Sequence, residues 1–172
     1  MIAARGVRET RRPARPFAAA GFTIIELLVT VVIVSIVASA ALPMTELVVQ
    51  RNKEQELRHA LREIRDALDA YKQAGDEGRI IRKAGESGYP RTLEVLVEGI
   101  VDAKDPKGAK IHFLRRIPRD PFSPDQTAPA SQTWGKRSYA SSADDPKPGD
   151  DVYDVYSLAA GAGLNGSPYR EW

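Results

Sequence analysis

From Phe22 to Leu42 the chain is apolar at almost every position, and Glu26 is the one charge in those 21 residues. As a helix the run spans about 31 Å, which matches a bilayer core of roughly 30 Å. Beyond Pro43 the pattern becomes amphipathic. Leu57, Leu61, Ile64, Leu68 and Tyr71 recur at spacings of four, three, four and three, an apolar stripe along a helix that reaches about residue 74. Charges fill the other faces and fall one turn apart, Glu54 with Arg58, Arg62 with Asp66, and Arg65 with Asp69. Together the two stretches predict one helix from about residue 23 to 74, on the order of 78 Å long. Pro43 is expected to bend or locally melt it, because proline lacks the backbone donor and crowds the preceding turn. The second half of this helix can pack on a small sheet. The first half cannot be buried by so small a domain and requires copies of itself.

Gly75, Gly78, Gly85 and Gly88 end the helix and open a loop. Thr92 then stands where an N-cap would, with Leu93, Leu96 and Val97 on one face of a short helix. Ile111–Leu114, Lys136–Ser141 and Val152–Leu158 read as strands, the last rich in Val and Tyr. Pro118, Pro121, Pro124 and Pro129 exclude a helix or a central strand between the first two of these. The expected fold class is α+β, a long N-terminal helix whose second half packs on a small antiparallel sheet.

Charge removes several functional classes. The chain carries +2 overall, but residues 1–21 hold five Arg and one Glu, which leaves −2 for residues 22–172. The basic character therefore belongs to the leader, and the remainder has no Lys/Arg patch with interleaved aromatics for nucleic acid. Cysteine is absent, so neither a disulfide nor a thiolate metal site is available. Gly161-Ala162-Gly163-Leu164-Asn165-Gly166 has the spacing of a dinucleotide fingerprint, yet only six residues follow where a helix and second strand are needed, and it reads as a turn. His59 and His112 have no third ligand at metal spacing and are read as surface or packing residues. Ser35 and Ser39 are expected to bond to their own helix backbone. No nucleophile, base and acid can be assembled, and an enzyme is not expected.

A lone carboxylate in an apolar span is a functional residue until shown otherwise. Here Gly21-Phe22-Thr23-Ile24-Ile25-Glu26 follows a leader with Arg5, Arg8, Arg11, Arg12 and Arg15. This combination resembles the type IV prepilin signal. The resemblance implies a leader at residues 1–21, a membrane and assembly helix at 22–43 and a periplasmic domain at 44–172. It also implies cleavage between Gly21 and Phe22 by prepilin peptidase, N-methylation of Phe22, and a pairing of Glu26 with the freed amine of a neighbouring subunit during assembly. A secretory signal peptide cut at Ala38-Ser39-Ala40 is the competing reading. Against it stand the length of the apolar run, the presence of Glu26, and the helical pattern that resumes past Pro43.

Three later segments narrow the resemblance. Tyr89-Pro90-Arg91-Thr92-Leu93-Glu94, Ile117-Pro118-Arg119-Asp120-Pro121-Phe122 and Asp154-Val155-Tyr156-Ser157-Leu158 are similar to those of the major pseudopilins of type II secretion systems. This likeness implies a type IV pilin-like fold in a single-pass inner-membrane protein. Its homo-oligomeric filament would work with other pseudopilins and the inner-membrane assembly platform to export folded proteins. The same family implies a calcium ion in a C-terminal loop, for which Asp150, Asp151 and Asp154 are the candidate ligands, with Asp144 and Asp145 nearby. Where the family has a second aspartate, seven residues after Asp154, this chain has Gly161. Five aspartates in a Pro-Gly loop also fit a solvated turn. The alternatives kept open are a type IV pilus subunit, a secreted or membrane-tethered periplasmic binding domain, and a tethered hydrolase.

Overall fold

The computed structural model describes residues 21–125 and 127–172, and of residues 40–44 the backbone alone. The leader expected before Gly21 lies outside the described residues. The chain divides between Pro43 and Met44 into two units, each described by itself.

Both units contain part of α1, Ile24–Asp76. The helix is unbroken at Pro43, so the local melting expected there does not occur. One missing donor costs a single rung of the ladder, and the residues on either side keep theirs. In the first unit every large apolar side chain from Phe22 to Val37 is 50–80% exposed. Among the described residues no helix is long and apolar enough to cross a membrane. The described side chains of the run stop at Ser39, about 24 Å from its start as a helix. Thr30, Ser35 and Ser39 return their hydroxyls to the carbonyls of Leu27, Val31 and Ser35 at 2.9, 2.7 and 2.8 Å, which satisfies them within the helix.

In the second unit the amphipathic stripe does what its spacing requires. Leu57, Leu61, Ile64 and Leu68 are 0–2% exposed and Tyr71 is buried with them. Against them pack Ile80, Leu93, Leu96, Leu114, Trp134, Val152, Val155 and Tyr169. Arg65 does not pair with Asp69 but reaches Asp154 in the sheet region, and Arg62 and Asp66 form no ion pair among the described residues. Of the three helix pairs expected, only Glu54 with Arg58 is within range, at 3.9 Å.

After α1 the chain turns at Gly78 and meets α2, Glu94–Glu98. Its N-cap is Leu93, not Thr92, and no side chain caps it. Burial of Leu93 and Leu96 sets this turn of helix, overriding the capping preference. Four short strands form: β1, Ile100–Val101, which was not expected, and β2, Lys110–Ile111, β3, Trp134–Arg137, and β4, Asp154–Ser157, each shorter than its sequence pattern. They form two antiparallel ribbons instead of the single sheet expected. The register of the second ribbon sets Trp134 opposite Ser157 and Arg137 opposite Asp154.

The first ribbon is tied back to the end of α1. Arg79 donates through Nε and Nη2 to Asp102 Oδ2 at 2.9 and 2.7 Å, and Lys104 N donates to Asp102 Oδ1 at 2.9 Å. The guanidinium and then the amide hold the Asp102 carboxyl below the ordinary carboxylate range. Asp76, bonded by Lys72, is lowered in the same sense, while burial raises the phenols of Tyr71, Tyr89 and Tyr169. A carboxyl lowered in the fold stabilises it above its unfolded value, near 4, and the contribution is lost as pH falls through the folded value. A phenol raised in the fold stabilises it below about 10, and that contribution is lost as pH rises through the folded value. The full chain in detergent is therefore expected to hold a constant Tm from about pH 5 to 9 and to lose it on both sides. Asp102→Asn should make the acid limb shallower. An unchanged acid limb in that variant would remove Asp102 from the account.

Candidate functional site

The N-terminal site is built on the first turn of α1. Thr23 precedes the helix, its carbonyl accepts Leu27 N at 3.1 Å, and its Oγ1 accepts the backbone N–H of Glu26 at 3.2 Å. These bonds make Thr23 the N-cap, and Thr23-Ile24-Ile25-Glu26 has the spacing of a capping box. Glu26 is thereby fixed in the first turn, where the helix dipole favours a negative charge. Its side chain is exposed, and no ion pair reaches it among the described residues. Thr23 was not anticipated as a cap, although the Thr-x-x-Glu spacing is a sequence signal for one.

Gly21 and Phe22 precede the cap outside the helix, with Phe22 77% exposed. A Cβ placed on Gly21 would meet nothing within 4 Å among the described residues. The fold therefore makes no demand for glycine at this position. Gly161 differs, since its φ of 125° is one that side chains rarely adopt.

The C-terminal aspartates do not converge. Asp150 is exposed, Asp151 Oδ1 accepts Tyr139 N at 2.9 Å, and Asp154 faces two arginines. Asp145 pairs with Lys147 at 2.7 Å on the surface. Among the described residues no three His, Cys, Asp or Glu are grouped to hold a metal ion. The calcium set expected at Asp150, Asp151 and Asp154 is thus not assembled, because cations of the protein already occupy its central carboxylate. Gly161 adds a backbone reason, since an aspartate there would be strained. The fingerprint-like stretch at 161–166 is the turn expected: Gly166 N bonds Gly163 O at 2.8 Å, and Ala162 bridges Pro168. His59 and His112 are both exposed.

The three segments that carried the resemblance meet in space. Val152 N donates to Pro90 O at 2.8 Å, joining the first segment to the approach of β4. Asp120, 2% exposed, accepts from Ser157 Oγ and from Phe122 N, joining the second segment to the third. Trp134 Nε1 donates to Pro118 O at 2.8 Å from the neighbouring strand. These segments hold the domain together, and their polar residues have structural work.

A long N-terminal helix with an exposed apolar start, followed by small antiparallel ribbons, is consistent with a type IV pilin-like fold. Residues 17–42 match the family described as the prokaryotic N-terminal methylation motif. Over 137 residues the chain is 29% identical to the type II secretion system core protein G of Klebsiella michiganensis, covering 76% of this chain and 87% of that relative. No solved structure matches at a significant level. The likeness to the type II secretion protein spans far more than the shared N-terminal motif and bears out the resemblance read from the later segments.

Three further contributors were not anticipated from sequence: Arg65, Arg137 and Glu54. Arg65 and Glu54 each have a possible partner one turn away in the same helix, Asp69 and Arg58. Arg137 faces Asp154 only because of the strand register.

Proposed function

We propose that this chain is a structural subunit of a type II secretion pseudopilus. Prepilin peptidase cleaves it after Gly21 and methylates the new N-terminus at Phe22. Residues 22–43 then anchor it in the inner membrane by a single pass, with residues 44–172 in the periplasm. There it polymerises with copies of itself, joined by other pseudopilins and the assembly platform, into a filament that serves export of folded proteins. The role is mechanical and needs no catalytic group.

The observation that carries this reading is the methylation motif at residues 17–42, placed on a helix start whose apolar side chains are exposed on all sides. Such a helix needs lipid or other helices around it. The glycine that the fold does not require, directly before Phe22, supports cleavage at that bond. Mass spectrometry of the chain isolated from membranes is the test. An N-methylated Phe22 terminus is expected. A terminus at Ala41 would mean signal-peptide cleavage and would end the filament reading.

A further inference from the structure

Asp154 lies between two guanidinium groups. Its Oδ1 accepts Arg65 Nε from α1 at 2.8 Å, and its Oδ2 accepts Arg137 Nη2 from β3 at 3.2 Å. Its own strand contributes a further donor, Val155 N, 2.8 Å from Oδ1. Arg65 continues past the carboxylate and donates through Nη2 to Val155 O at 3.2 Å and to Trp172 O at 2.7 Å. Two cation–ring contacts complete the arrangement: Arg137 covers the Tyr153 ring at 4.7 Å, and Arg58 covers the Trp172 ring at 4.2 Å. One side chain of α1 thus grips both β4 and the end of the C-terminal segment.

This is where the family resemblance places calcium, and the residues do not fit it. A calcium ion takes six to eight oxygen ligands at about 2.3–2.6 Å. Here the oxygens of Asp154 already carry charge-assisted bonds from Arg65 and Arg137, and a dication at the same carboxylate would be repelled by both. Asp151 is turned to Tyr139 N. At Gly161, where the family has its second aspartate, φ is 125°.

We infer that in this chain an arginine clasp, Arg65–Asp154–Arg137, takes the place of the metal, so that the C-terminal region is fastened to α1 without calcium. The clasp is made of side chains that travel with the chain, and the subunit is folded at any periplasmic calcium concentration. This does not depend on the filament reading, because it concerns only residues 44–172.

Thermal unfolding of the full chain in detergent, followed by fluorescence of Trp134 and Trp172, tests it. Wild type should melt at the same temperature in millimolar calcium chloride and in the chelator EGTA. Arg65→Ala should lower Tm by roughly 5–10 °C in both conditions, as expected for losing charged hydrogen bonds in a domain of this size. Arg65→Lys should recover only part, since an ammonium cannot reproduce the planar set of donors. Asp154→Leu combined with Arg65→Met and Arg137→Met should be milder than Asp154→Ala, because the triple variant leaves no charge of the clasp unpaired while the alanine variant strands both guanidinium groups. A wild-type Tm that rises with calcium and falls with EGTA would overturn the proposal. So would an Arg65→Ala variant that melts with wild type.

Discussion

Glu26→Ala is expected to yield a subunit that is cleaved at Phe22 and inserted in the membrane but fails to enter the filament. Two roles for the carboxylate can be separated by magnitude. As an acidic residue in the first turn of α1 it interacts with the helix dipole, worth about 0.3–1 kcal/mol. As the partner of the amine freed at Phe22 on a neighbouring subunit, it would join a charge pair in low dielectric. Removing one member of such a pair costs about 3–5 kcal/mol, because the other is left unpaired. That corresponds to a loss of incorporation on the order of a hundredfold or more. Glu26→Gln separates the roles, as it preserves the side-chain length and the Thr23 cap but removes the charge. Filament yield from cross-linked membranes, measured beside N-terminal mass, reads both steps. If Glu26→Gln assembled as well as wild type, charge pairing would be abandoned whatever the alanine variant did.

Glu54→Ala should produce the largest loss of stability from a polar residue in the domain. Glu54 is 4% exposed on α1, and its Oε1 accepts Leu164 N at 2.8 Å, Tyr169 Oη at 3.2 Å and Gln50 Nε2 at 3.3 Å. Among the described residues no buried side-chain polar atom lacks a partner. The alanine variant would strand the Leu164 amide and weaken the hold on Tyr169, whose ring stacks on Phe122 at 4.3 Å. We expect a cost of about 3 kcal/mol, or roughly 10 °C in Tm. Glu54→Gln keeps an acceptor and should lose less than half as much. Equal losses in the two variants would mean that packing, and not hydrogen bonding, fixes this residue.

Much of the molecule was legible because it depends on local periodicity. The stripe from Leu57 to Tyr71 identified the buried face of α1, since a helix brings those positions together whatever surrounds it. The apolar run and its single carboxylate were equally plain. Where expectation and structure part, local rules competed with packing. Thr92 offered a cap, but α2 starts where Leu93 and Leu96 are buried. Arg65 and Asp69 offered a pair one turn apart, worth only about 0.2–0.5 kcal/mol on a helix surface, and Arg65 gains more bonds by crossing to Asp154, Val155 and Trp172.

The dispersal of the C-terminal aspartates has a related reason. Aspartates close in sequence share a site only if the backbone turns them toward one point, and here each finds a different environment. Composition counted the carboxylates but could not count the arginines that reach them.

The helix, its buried face, the methylation motif and the isolated charge at Glu26 are read from sequence, because each rests on spacing within a few turns of one element. Only the tertiary structure decided which charges neighbour one another across elements. The register that sets Arg137 opposite Asp154, and the packing that brings α1 against β4, place a positive pair where a metal was expected. Such contacts join residues far apart in the chain, 107 positions for Arg65 and Trp172, and no local pattern records them.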